Sequence, residues 1–148
     1  MTLSNGKYPV IFQLNHVFQK ERVLEQNDSI NVSPTFDSTG TKMAFTSSRL
    51  GGPQIFLKDL GSGSVTRVSK NGTYNSEANL SPDGTLVVYS RMTEYGHRIF
   101  VQDMLTRTER QISFRRPRAD PALISMRVPP IQSHTSRHNS PRRFQKSQ

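Results

Sequence analysis

The chain has 148 residues, no cysteine, a formal net charge of +9 and 32% hydrophobic residues. The lack of cysteine excludes disulfides, thiolate zinc sites and thiol catalysis, and no apolar run is long enough to span a membrane as a helix. The charge is uneven: residues 1–113 hold 12 Lys+Arg against 10 Asp+Glu, while residues 114–148 hold 8 against 1, so the basicity belongs to a tail and not to a face of a folded domain.

Read from its start, the chain shows no apolar h-region of the kind a secretory signal needs. As written it is expected to stay in the cytoplasm. From Pro9 onward a repeat emerges. Residues 31–69 align with residues 75–113 without a gap at a shift of 44. Asn31 falls on Asn75, Gly40 on Gly84, Phe45 on Tyr89, Asp59 on Asp103 and Ser69 on Ser113. The same shift places Pro9 under Pro53, Ile11 and Phe12 under Ile55 and Phe56, and Leu24 under Val68. Residues 1–28 therefore read as the end of an incomplete first unit. Residues 29–70 and 71–113 read as two whole ones.

Each whole unit predicts four short strands: 32–36, 42–47, 54–59 and 65–69, then 77–80, 85–90, 98–103 and 109–113. Met43, Phe45 and Ser47 alternate with Ala44 and Thr46, the period of a strand. Glycine- and proline-bearing turns separate the strands, as at Ser81-Pro82-Asp83-Gly84. No stretch has helical periodicity. Four strands in 40–45 residues is the size of one propeller blade, so the fold class is all-β, a partial β-propeller of about two and a half four-stranded blades. The expected core is Phe36, Phe45, Ile55, Val65 and Val68 in one unit, and Leu80, Val87, Tyr89, Ile99, Val101 and Ile112 in the next. Tyr74 and Tyr95 either pack under a loop or touch a ligand.

Residues with catalytic or cofactor chemistry do not assemble into a motif. There is no G-x-S-x-G, no phosphate-binding glycine loop, and no serine in a recognisable relation to a histidine and an acid. His134 and His138 have i, i+4 spacing but lie in a Ser/Arg/Pro-rich stretch, and His97 reads as a surface residue. Asp59 and Asp103, one repeat apart, read as caps of strand-end amides or as calcium ligands. No catalytic residue, cofactor or metal is assigned, and the chain is not read as an enzyme.

Two sets of strings carry a family resemblance. Ser33-Pro34-Thr35-Phe36, Ala44-Phe45-Thr46-Ser47-Ser48-Arg49 and Gly51-Gly52-Pro53-Gln54-Ile55-Phe56-Leu57-Lys58-Asp59-Leu60 follow in order, and Asn75-Ser76-Glu77-Ala78-Asn79-Leu80-Ser81-Pro82-Asp83-Gly84 repeats the theme. They resemble the S-P-D-G, A-F-x-S-x-R and G-x-P-Q-I-Y-x-x-D-L elements of the TolB family over residues 9–113. The resemblance implies a periplasmic, six-bladed propeller of the Tol–Pal system, which serves outer-membrane integrity and cell division. It implies the peptidoglycan-associated lipoprotein Pal as the propeller's partner. TolA is engaged by an N-terminal region that these residues do not match, so no TolA contact is expected. The sequence departs from the pattern in lacking the family's N-terminal α/β domain and most of its blades, and in carrying Asp37-Ser38-Thr39-Gly40 in place of S-P-D-G.

The first strand of a blade lines the channel, and the loop entering it forms the mouth. On the family's implication, Asn31, Val32 and Ser33, with their equivalents Asn75, Ser76 and Glu77, are the candidates for partner contact. Arg49 and Arg91, after the second strands, are secondary ones.

Residues 114–148 break the repeat. They are polar, basic and proline-bearing, the composition of a disordered segment. One reading makes them a basic arm for nucleic acid or an anionic membrane surface. The other makes them out-of-frame sequence on a truncated chain without function. No specific nucleic-acid partner is expected, because Phe114 and Phe144 are too few for a stacking platform. Two further alternatives are a fragment of a prolyl-oligopeptidase-type propeller and a basic-tailed nucleic-acid-binding protein. The first would need a hydrolase domain with G-x-S-x-G.

Overall fold

The repeat becomes consecutive antiparallel sheets. A computed structural model of the protein describes residues 1–4 and 6–114, and the expected features of the tail, His134 and His138 included, lie outside the described residues. The first sheet has three strands: β1 (Thr2–Ser4), β2 (Pro9–Leu14) and β3 (Lys20–Glu25). The second has four, β4 (Asn31–Phe36), β5 (Lys42–Ser47), β6 (Gln54–Asp59) and β7 (Val65–Arg67). The third repeats it with β8 (Asn75–Leu80), β9 (Leu86–Thr93), β10 (Gly96–Asp103) and β11 (Glu109–Gln111). Each sheet is a simple meander, and no helix occurs among the described residues.

Turn chemistry sets the strand ends. In the third sheet the β8–β9 turn uses two residues: Ser81 Oγ accepts the Leu86 amide at 2.9 Å and Asp83 Oδ1 accepts the Thr85 amide at 3.1 Å. In the second sheet one carboxylate does both jobs, Asp37 Oδ1 accepting the amides of Thr41 and Lys42 at 2.9 and 3.0 Å. The divergent Asp37-Ser38-Thr39-Gly40 string is thus a different solution to one turn. Asp59 and Asp103 cap the outer hairpins through paired amides, Gly61 and Ser62 at 3.0 and 2.7 Å, Leu105 and Thr106 at 2.8 and 2.9 Å.

The sheets bury their faces against each other. Ile11 and Leu24 of the first sheet meet Met43, Phe45 and Phe56 of the second. Ala44, Ile55 and Val68 of the second meet Ala78, Leu80, Val87, Tyr89 and Phe100 of the third. Each such aliphatic or aromatic side chain, fully buried, contributes roughly 1.5–3 kcal/mol, so neighbouring sheets hold each other in place as repeat units do.

Two expected core residues are not core. Phe36 is 41% exposed, although its equivalent Leu80 is buried. Leu80 packs on the complete second sheet, whereas Phe36 lies along a crevice left by the three-stranded first sheet, beside Phe12, Leu24 and Leu60. Ile112 is 48% exposed while its equivalent Val68 is buried, because the third sheet covers Val68 and no described sheet covers Ile112. Val65 and Ile99 are partly buried, and the remaining expected core residues are fully buried.

Candidate interaction face

The entrance to each first strand is built around a buried asparagine. Asn75 has no exposed surface. Its Nδ2 donates to Gln54 Oε1 at 2.9 Å and to the Asn71 carbonyl at 3.0 Å, and its Oδ1 accepts from Arg91 Nε at 2.9 Å. Asn31, equally buried, donates to Asn27 Oδ1 at 2.9 Å and the Ser29 carbonyl at 3.0 Å, and accepts from Arg49 at 3.3 Å. Each side chain satisfies a backbone carbonyl of the loop that precedes it and so ties that loop to the first strand.

Two residues further on, both strands bulge. The register of β4 against β5 shifts between Val32 and Thr35, and that of β8 against β9 between Ser76 and Asn79. The residues at the bulge, Ser33 and Glu77, have φ of 55° and 56°. Neither is glycine, so each carries a left-handed conformation that L-residues adopt at a cost. Both side chains are exposed. Recurrence one repeat apart makes the bulge a feature of the unit.

Val32, Ser33, Ser76 and Glu77 line one groove between β4 and β8, together with Ile30, Tyr74, Pro53 and Thr46. Ile30 and Tyr74 are 46% and 44% exposed. The groove therefore combines apolar walls, hydroxyls and one carboxylate, a surface suited to an extended segment of another protein. The sequence candidates Val32, Ser33, Ser76 and Glu77 all lie here, Tyr74, left open between packing and ligand contact, is exposed here, and Ile30 and Pro53 were missed. An exposed apolar residue directly before each first strand was the available signal.

The remaining candidates lie underneath. Arg91 is 6% exposed. Its guanidinium lies 4.0 Å from the centre of the Phe100 ring, pairs with Glu109 Oε1 at 2.6 Å and donates to Tyr89 Oη at 3.0 Å. Burial alone would raise the Glu109 carboxyl, but hydrogen bonds from Arg91 and Tyr89 outweigh it and hold the group below its ordinary value. Burial, then the bond to Glu109, pushes the Tyr89 phenol up. Arg49, half-buried, stacks on Phe56 at 4.6 Å and pairs at 2.7 Å with Glu25, which also pairs with Lys58. Arg49, Arg91, Asn31 and Asn75 thus shape the loops from behind, while the other four sequence candidates meet solvent in the groove.

No group of three His, Asp or Glu among the described residues is arranged to hold a metal. Ser90 Oγ lies 3.0 Å from His97 Nδ1, and the Tyr74 ring meets the imidazole edge-on. The hydrogen bonds of the described residues give that imidazole no carboxylate to orient it, so the pair lacks the third member of a hydrolytic triad.

Antiparallel four-stranded meanders, repeated at 44 residues and packed face to face with their first strands side by side, define a β-propeller. The family model described as TolB beta propeller domain matches residues 1–124, and the chain belongs to that family. It is 71% identical over 52 residues to the Tol-Pal system protein TolB of Nitratidesulfovibrio vulgaris, a match covering 35% of this chain and 12% of that protein. Among solved structures it is similar to TolB from Acinetobacter baumannii, with 28% identity, a TM-score of 0.65, and coverage of 74% of this chain and 28% of that one. The chain thus spans well under half the length of these relatives. Dipeptidyl peptidase 4 of Porphyromonas gingivalis matches with a TM-score of 0.60 at 14% identity, over 76% of this chain and 16% of that one, a likeness of fold alone.

Proposed function

We propose that the chain is a non-catalytic protein-interaction module of the Tol–Pal type, acting at the cell envelope on the periplasmic side and receiving the peptidoglycan-associated lipoprotein Pal. The observation that carries this reading is the repeated, left-handed presentation of Ser33 and Glu77 at the groove between β4 and β8. A backbone held at a cost in the same place of two units, with both side chains in solvent, fits a binding surface better than a packing role. Val32, Ser33, Ser76 and Glu77 make the contacts in this account. Asn31, Asn75, Arg49 and Arg91 fix the loops.

Calorimetric titration of purified Pal into the full chain tests the proposal. Glu77→Arg reverses the groove's charge and keeps an equally constrained residue at the bulge, and it should weaken binding by about tenfold or more. Glu94→Arg, an exposed control outside the groove, should leave affinity within about twofold. Absence of binding, or equal affinity of Glu77→Arg and the unaltered chain, overturns the proposal.

A further inference from the structure

A second concavity, separate from the groove between β4 and β8, lies between the outer strand β7 and the β10–β11 hairpin. Val68 and Met104 supply its apolar lining, and Arg67, Lys70 and Arg107 stand around it. All three cations are exposed, and none forms an ion pair among the described residues. The one carboxylate present, Asp103, is committed to capping the hairpin through the amides of Leu105 and Thr106. The cleft therefore carries three cations against one carboxylate.

Two further observations point to a ligand there. Arg107 has a φ of 59°, at the position where the preceding repeat carries Gly63 with a φ of 76°. A long cationic side chain occupies a backbone site that glycine fills without strain, and such outliers concentrate at functional positions. Gln102 is 2% exposed and also lines the cleft. Its Nε2 donates to the carbonyls of Asp103 and Thr108 at 2.9 and 3.0 Å, while its Oε1 accepts nothing. A buried acceptor without a donor costs free energy until a donor reaches it.

We propose that this cleft docks an acidic, extended segment of a protein partner, whose carboxylates meet Arg67, Lys70 and Arg107 and whose apolar side chains lie on the half-buried Met104. A peptide also brings amide N–H groups that can satisfy Gln102. A phosphate alone leaves the apolar Met104 uncovered, and a recessed cleft does not match a flat bilayer.

Fluorescence anisotropy of a labelled peptide of alternating Leu and Glu, added to the full chain at physiological salt, tests the inference. Arg107→Gly removes the charge and relieves the backbone, so it should fold at least as well and bind about tenfold more weakly. Arg98→Gln removes the same net charge elsewhere and should change affinity less than about twofold. The same peptide with Gln for every Glu should not bind. The proposal is overturned if Arg107→Gly binds like the unaltered chain, if Arg98→Gln loses as much, if the Gln peptide binds equally, or if inorganic phosphate at equal concentration displaces the peptide.

Discussion

Arg49 and Arg91 put their guanidinium groups in the same niche of consecutive sheets although the repeat does not align them. Arg49 lies over Phe45 and Phe56, and Arg91 over their equivalents Tyr89 and Phe100. In the repeat Arg91 stands opposite Ser47, and Arg49 opposite Thr93. Each then bonds the buried asparagine of its own first strand. The aromatic pair and the asparagine define a site for a planar cation, and side-chain length lets two different positions fill it.

The two arginines differ in burial, which sets what each is worth. Arg91→Ala strands Glu109 and Asn75 together and should cost about 3 kcal/mol of stability by urea unfolding. Arg91→Lys should recover less than half of that, since a lysine cannot stack and fork at once. Arg49→Ala should cost only about 1 kcal/mol, because Lys58 still neutralises Glu25. Equal losses at the two positions would contradict the geometry.

Acid should weaken the turns. Asp37 is held down to about 2, first by the Thr39 hydroxyl and then by the Lys42 amide. Asp83 is held down to about 2, first by the Ser81 hydroxyl and then by the Thr85 amide. Folded values below the ordinary 3.8 mean that their contribution is complete above that pH and is lost as pH falls towards 2. Thermal unfolding followed across that window should show a falling Tm. Asp37→Asn should flatten the fall, since one titrating group is gone.

Strain at the bulge is open to a direct trade. Glu77→Gly relieves the left-handed backbone and should stabilise the chain by about 0.5 kcal/mol, net of glycine's added freedom when unfolded. The same change removes the groove's carboxylate and should weaken partner binding. Loss of stability on this substitution would mean that Glu77 makes a folding contact.

Core packing between sheets predicts a graded response. Phe45→Ala, at the junction of the first and second sheets, should cost about 3–5 kcal/mol, and Ile55→Val, between the second and third, about 1 kcal/mol. Phe36→Ala should fall well below either, because its ring is half in solvent. Urea unfolding of the three variants makes the comparison.

The repeat made most of the fold legible. Lys42–Ser47 and Gln54–Asp59 are strands at the residues that alternation marks out. β9 runs on to Thr93 and β10 starts at Gly96, past the expected ends at residues 90 and 98, because a tight hairpin lets the pairing continue to Thr93 and Gly96. Phe36 and Ile112 failed because burial depends on which sheet lies opposite, and periodicity along one strand does not encode that. Of the candidate site, the exposed residues Ser33 and Glu77 followed from blade logic. The networks under them did not: Glu25 reaches Arg49 from the preceding sheet, whereas Glu109 reaches Arg91 from within its own sheet. Counter-ions that come from non-equivalent strands leave no repeating signal.

The most direct test of the account is hydrogen–deuterium exchange of the full chain with and without Pal. Added protection should fall on residues 30–33 and 74–77, around the groove between β4 and β8, and Glu77→Arg should abolish it. Protection confined to β7 and the β10–β11 hairpin, or no protection at saturating Pal, would contradict it.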